Sequence, residues 1–270
     1  MIFIRSALFN LVFYVNLVTQ MIVFSPFYFL APRRYSWIIV RNWIRSSDWL
    51  LRLIVGTTYE IEGLENMPRG GCIIAPKHQS MWDPFALLPY YNDPFYILKR
   101  ELTWIPLFGW YVMKMRMVPI NRGSKSKVMP EVLAMTRERM AQGRHLIIYP
   151  EGTRRPVGAD PEYKYGVARL YHDLDVPVVP IAMNPGLFWP RRKFLRYPGL
   201  IRVRVLEPIR PGLTAEDFYN RLIEVTESAT NELMAQAIDE NPHIPVPETA
   251  ARRYREMTGR EPRSSTNGSG

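Results

Sequence analysis

The stretch GCIIAPKHQSMWDPF, residues 71–85, decides how the rest of the chain is read. Its apolar half, CIIAP, places isoleucines on consecutive positions, as strands buried on both faces do. Asp83 followed by Pro84 is a helix start signal, because a carboxylate satisfies free N–H groups and proline suits the first helical turn. A strand, a polar loop and a helix in that order make the first half of a βα unit.

Outward from this stretch the pattern repeats. Strands are expected at residues 57–63, 94–98, 116–121, 145–152, 176–183 and 201–209, each a short apolar run closed by turn residues. Helices are expected at residues 84–90, 127–142, 166–173 and 215–239. The fold class is therefore α/β, a mixed, partly parallel sheet covered by helices, preceded by an N-terminal membrane-associated helical region. Residues 1–55 form that region, 56–241 the α/β domain, and 242–270 a tail too rich in proline and charge to bury, expected to be disordered.

The N-terminal reading rests on residues 7–30, which carry no charge and exceed the roughly 20 residues a bilayer crossing needs. Asn10, Asn16, Thr19, Gln20 and Pro26 dilute the run, so a spanning helix and a re-entrant one both fit. Beyond it, Arg41, Arg45, Asp48 and Arg52 recur every three to four positions on one helical face. The intervening Ile38, Ile39, Trp43, Ile44, Trp49, Leu50, Leu51, Leu53 and Ile54 leave a wide apolar surface, the pattern of an interfacial helix. If residues 7–30 do cross, Arg33, Arg34, Arg41 and Arg45 on their C-terminal side outweigh Arg5, so the following domain is expected on the cytoplasmic face of the inner (plasma) membrane.

Thirty-five basic residues against 25 acidic ones give a formal charge of +10, so the chain seeks anionic surfaces. Nucleic acid and anionic lipid share the phosphate target, and the apolar N-terminus favours lipid; nucleic acid is not expected as a partner. The mixed basic and aromatic stretch FWPRRKFLRYPG, residues 188–199, is assigned on the same ground to a headgroup or acyl-carrier contact. Cys72 is the only cysteine, which excludes intrachain disulfides and cysteine-based zinc sites.

Two constellations carry chemistry. In HQSMWD, His78 on the strand-to-helix loop can turn back toward Asp83, and an imidazole oriented by a carboxylate is a competent general base. In YPEGTRR, residues 149–155, the glycine turn lets backbone amides converge while Arg154 and Arg155 offer forked donors to an anion. Lys99 and Arg122 also close strands, and ligand sites in α/β sheets gather at carboxyl ends of strands.

With these motifs in place the chain resembles the His-x4-Asp glycerolipid acyltransferases, the family typified by bacterial 1-acylglycerol-3-phosphate O-acyltransferase. Four blocks match in order over about residues 59–211: HQSMWD, VPINRG (118–123), YPEGTRR and VPVVPIAM (176–183). Lys77 stands where the family commonly has asparagine, Tyr149 where it has phenylalanine, and Arg155 where it has serine. The Lys77 ammonium beside His78 is expected to disfavour the imidazolium.

The resemblance implies transfer of a fatty acyl group from acyl-CoA or acyl carrier protein to the sn-2 hydroxyl of lysophosphatidic acid, giving phosphatidic acid for phospholipid biosynthesis. His78 and Asp83 are then catalytic, while Lys99, Arg122, Glu151, Gly152, Thr153 and Arg154 bind substrate. No metal or further cofactor is implied, because the thioester is already activated. Ser80 is read as a hydrogen-bonding loop residue. Another lysolipid such as a lyso-aminolipid, or glycerol 3-phosphate, remains open as acceptor, and a membrane-binding scaffold is the non-enzymatic alternative.

Overall fold

The structure, a computed structural model, describes residues 1–120 and 129–262. Strands β1 (Thr57–Glu62), β2 (Cys72–Pro76), β3 (Phe95–Lys99), β4 (Val118–Ile120), β5 (His145–Ile147), β6 (Val178–Met183) and β7 (Gly199–Val205) form one sheet in the order β1-β7-β6-β2-β5-β3-β4. All pairings are parallel except β6 with β7, so the sheet is mixed, as expected. The centre lies at β5, β2 and β6, whose residues are all buried, which is why their sequences carry consecutive Ile and Val rather than an alternating pattern. Because β2 pairs with β5 and β5 with β3, the carboxyl ends of these three strands open onto one rim.

Helices cover both faces. Helix α6 (Met129–Ala141), α7 (Gly166–Leu174) and the first half of α8 (Ala215–Glu240) pack on Ile73, Ala75, Leu146 and Val178. Thr214 caps α8, its side chain accepting from the Asp217 N–H. The opposite face, presented by Cys72, Ile74, Ile147 and Ile181, receives α1 (Ile2–Val23), α2 (Ser25–Leu30), α3 (Arg33–Leu50) and the short α4 (Asp83–Ala86). Phe9, Phe13, Tyr28 and Ile44 are as buried as the strand residues they join. The N-terminal region thus shares its core with the α/β domain.

The polar residues that interrupt the N-terminal apolar run have partners. Asn16 donates to Ser46 and Ser47 at 2.9 and 3.2 Å, Gln20 to Ser46 at 2.9 Å, and Asn42 to Gln20 at 3.0 Å. Arg5 reaches the Ile54 carbonyl at the other end. These contacts run α1 and α3 antiparallel through a polar seam, with α2 between them as the return. The wide lipid-facing surface expected over residues 37–55 needs correcting: Ile39 and Ile44 of α3 and Leu51 just beyond it are buried in the core, and of the apolar residues assigned to that surface Ile38, Trp49 and Leu53 are exposed. Asp48, placed by periodicity with the arginines, instead accepts from the Trp82 indole N–H at 3.3 Å.

The tail also differs from expectation. Residues 248–258 form helix α9 (Glu248–Thr258), which buries Ala250, Ala251 and Tyr254 and fixes Asp160 with Arg252 and Arg253. Three small or aromatic contacts suffice to dock a helix whose other positions are charged, and composition averages them away. Residues 263–270 lie outside the described residues.

Phe13 joins α1 to α4 and to the segment after β6, its ring lying 5.7 Å from Phe85 and 5.5 Å from Trp189 between centroids. Replacing it with alanine removes a buried ring, a loss of about 3–5 kcal/mol. Hydrogen exchange of Phe13→Ala in detergent micelles should show α1 deprotected while the central strands stay protected; unchanged protection of α1 would show that this contact does not hold the helix.

Candidate active site

His78 lies two residues beyond β2, and the loop that bears it is organised by one carboxylate oxygen. Asp83 Oδ2 accepts from the backbone N–H of Gln79 at 2.7 Å and of Ser80 at 2.8 Å, and lies 3.0 Å from His78 Nδ1. Asp83 is the first residue of α4, and its side chain turns back to the loop instead of capping its own helix. The Asp83 side chain is fully buried, so it depends on these donors. An imidazole N–H directed at Oδ2 leaves Nε2 as the acceptor, and that atom has no protein partner among the described residues.

The remaining loop atoms are also committed. Ser80 Oγ donates to the Trp189 carbonyl at 2.8 Å and accepts from the Trp82 N–H at 3.1 Å, so its hydroxyl is structural. Trp82 is fully buried and reaches Asp48, whose carboxyl burial pushes up to about 7. The His78 ring stacks on Tyr149, with centroids 4.0 Å apart and planes at 24°.

A second carboxylate ties this loop to the YPEGTRR turn. Glu151 accepts from Lys77 Nζ at 2.8 Å through Oε1 and from the His78 backbone N–H at 3.1 Å through Oε2. Lys77 also meets Glu227 of α8 at 2.6 Å, and the Tyr163 hydroxyl donates to the same oxygen at 2.9 Å. The ammonium expected to bear on His78 is therefore matched by two carboxylates. Burial raises the Glu151 carboxyl above its ordinary range, and the charge of Lys77 opposes that rise. Glu151 is buried beneath the rim and braces His78; it is not among the residues lining the cavity.

That cavity, about 860 Å³, runs between α1–α3 and the rim of the sheet. Its walls are apolar, from Met21, Trp43, Phe85, Leu98 and Val112 among others, and Tyr149, Gly152, Thr153 and Lys99 border it. Gly152 takes φ +67°, a left-handed conformation natural to glycine, and its N–H closes a turn on the Tyr149 carbonyl at 2.9 Å. Arg154 is half-buried and makes no ion pair or hydrogen bond among the described residues, whereas Arg155 pairs with Glu162 at 2.9 Å and donates its backbone N–H to the His78 carbonyl. Burial first, then the charges of Arg192, Arg154 and Arg155, lower the proton affinity of Arg191, so of residues 188–199 it is Arg191 that lies near the YPEGTRR turn, while Arg196 is turned away onto the carbonyls of residues 193–195. Of the expected site residues, Lys99, Gly152 and Thr153 line the cavity, while His78 and Asp83 stand behind its wall, His78 stacking on the lining Tyr149; Arg122 lies outside the described residues.

The family model described as Acyltransferase matches residues 58–184, a span that contains all four blocks. The chain is 34% identical over 241 residues to the 1-acyl-sn-glycerol-3-phosphate acyltransferase of Pseudomonas aeruginosa, covering 86% of this chain and 92% of that protein. The chain belongs to the acyltransferase family. It is also 29% identical over 174 residues to mouse 1-acyl-sn-glycerol-3-phosphate acyltransferase alpha, covering 62% of this chain and 60% of that protein. Its fold is that of the 1-acyl-sn-glycerophosphate (LPA) acyltransferase PlsC from Thermotoga maritima, with a TM-score of 0.72 at 24% identity over 86% of this chain and 98% of the other.

Several residues of this acyltransferase site escape sequence reading. Glu227 and Tyr163 reach Lys77 from distant elements, and no local pattern marks them. Tyr149 was legible as a departure from the family pattern, but its stacking on His78 was not. Outside the site, His145 is buried with Nδ1 accepting from the Asn92 N–H, and burial lowers its proton affinity. Cys72 is buried with its thiol pushed up to about 12, which keeps it inert.

Lys77→Met would leave Glu151 buried without its ammonium, a loss of about 3–5 kcal/mol. A carboxyl raised in the native state binds its proton more tightly than in the unfolded chain. The stability it contributes therefore falls as pH climbs from the unfolded value through the native one. Removing Lys77 raises Glu151 further and extends that window upward, so the variant's deficit in urea midpoint should shrink from about pH 8 to about pH 5. An equal deficit at both pH values would contradict the pairing.

Proposed function

We propose that the chain transfers a fatty acyl group from a thioester donor, acyl-CoA or acyl carrier protein, to the sn-2 hydroxyl of lysophosphatidic acid, giving phosphatidic acid. The observation that carries this is the His78 ring, fixed by Asp83 and stacked on Tyr149, which lines an apolar cavity together with Lys99, Gly152 and Thr153. The substrate named by the Pseudomonas and mouse relatives supports the acceptor.

In this reading His78 Nε2 takes the hydroxyl proton as the oxygen attacks the thioester carbonyl carbon. The tetrahedral intermediate collapses with loss of the C–S bond, and the imidazolium returns the proton to the departing sulfur, so a free thiol leaves. Asp83 holds the ring in one orientation and stabilises the imidazolium between the two steps. A fatty chain occupies the cavity, whose volume falls in the range of ligand pockets. Arg154 and Lys99 hold the phosphate, with Arg122 added by resemblance; Gly152 and Thr153 shape the border, and Glu151 acts from beneath by positioning His78.

Membrane association follows from α1, 22 residues with mean hydropathy 1.6 and little burial in its apolar window. A helix of that length is about 33 Å long, enough to cross. Its antiparallel seam with α3 argues instead for a hairpin lying in one leaflet, because crossing would carry the exposed Arg45 into hydrocarbon with it. The cytoplasmic side is proposed because the arginines that follow α2 suit the anionic lipid of that leaflet.

The test is turnover of purified protein with lysophosphatidic acid, and with a lysolipid lacking the phosphate, against both thioester donors. Transfer should require the phosphate, and His78→Ala should lower it by about 10²–10⁴-fold while the protein still unfolds in one cooperative transition. Retained transfer in His78→Ala would refute the general base, and equal turnover without phosphate would refute the role of the cations.

A further inference from the structure

The connection after β3 exposes an apolar surface that the catalytic domain does not use for packing. Trp104 is 71% exposed, Trp110 61%, Met113 54%, Ile105 45%, Phe108 41% and Leu102 37%. Helix α5 (Phe108–Lys114) carries much of it, and sequence patterning did not predict that helix. A contiguous apolar patch of this kind marks an interaction site.

Three observations identify its occupant. First, α5 is fastened beside α2: Tyr111 stacks on Tyr28 at 3.9 Å between centroids, and Lys114 Nζ donates to the carbonyls of Phe29 and Ala31 at 3.0 and 2.9 Å. The patch is thereby continuous with the exposed Val23, Phe27 and Leu30 of the N-terminal hairpin. Second, Leu102 and Phe108 both face outward and line the 860 Å³ cavity, so the cavity has a mouth within the patch. Third, exposed tryptophans with Lys99 and Arg100 at the base of the segment are the composition of a headgroup boundary.

The backbone holds this surface outward. Leu107 sits at φ 66°, ψ −59°, in a γ-turn closed by the Phe108 N–H on the Pro106 carbonyl at 2.7 Å. That conformation is rare and strained for a residue with a side chain. Gly109 lies so close to the preceding turn that a Cβ would stand 2.0 Å from the Thr103 carbonyl oxygen. The turn and α5 are thus locked together.

We propose that residues 102–113 form a second bilayer-inserting surface, and that the cavity opens through it so that a lipid's chain enters sideways from the leaflet. This rests on the membrane-lipid reading of the site. A protein partner seated here would stopper the mouth, which is why the occupant is lipid.

The full-length protein, labelled at Trp104→Cys with a solvatochromic dye, tests this on phosphatidylcholine/phosphatidylglycerol vesicles; Cys72 is buried and stays unlabelled. The dye should shift to the blue and lose about half its emission to lipids brominated in the upper acyl region, while a dye at Glu216→Cys on α8 should not respond. Co-sedimentation with vesicles without quenching at position 104 would overturn the insertion and leave membrane binding standing. Absence from the vesicle pellet would overturn both. In a second arm, Trp104→Glu/Trp110→Glu should lower turnover of vesicle-embedded lysophosphatidic acid about tenfold while sparing a short-chain acceptor in free solution. An equal effect on the two acceptors would contradict the portal.

Discussion

The site depends on a buried carboxylate oxygen with three donors directed at it. Asp83 Oδ2 would be costly to bury alone; two loop amides and the imidazole supply what water would have supplied. The backbone of His78 is held at both ends as well, its N–H by Glu151 and its carbonyl by the Arg155 N–H. Ring and main chain are thus fixed by groups from two sequence blocks about seventy residues apart, which the parallel pairing of β2 and β5 brings to one rim. Preorganisation of this kind lets a general base act without the loop reordering at each turnover.

The apolar side is arranged on the same rim by different means. Polar residues on α1 find partners on α3, and their aromatic faces close over the sheet, so the cavity forms between this hairpin and the rim of the sheet. The Asp48 contact with Trp82 links the hairpin directly to the HQSMWD loop. Hairpin and loop are therefore one packed body, and disturbing the first is felt at the second.

Much of this was legible in the sequence. Consecutive Ile and Val runs located the buried strands, and the spacing of His78 from Asp83 anticipated a pair that the structure brings to 3.0 Å. Other features were hidden for physical reasons. Periodicity gives an apolar face but not what covers it, so residues 37–55 read as lipid-facing although Ile39, Ile44 and Leu51 enter the core. Helix α9 docks through Ala250, Ala251 and Tyr254 amid charges, below the resolution of composition. Helix α5 spans seven residues beside Pro106 and Gly109, too short for a period to emerge. The Lys77–Glu227 contact joins positions 150 residues apart, and only Lys77, as a departure from its family's asparagine, hinted that a partner existed.

The central claim is that Asp83 fixes which imidazole nitrogen of His78 carries the proton. Nitrogen-15 NMR of histidine-labelled protein, with the His78 resonance assigned by its loss in His78→Gln, reads that tautomer directly in the neutral ring. The account predicts the proton on Nδ1, directed at Asp83, with Nε2 free to accept from an alcohol. A neutral ring protonated on Nε2 would contradict it.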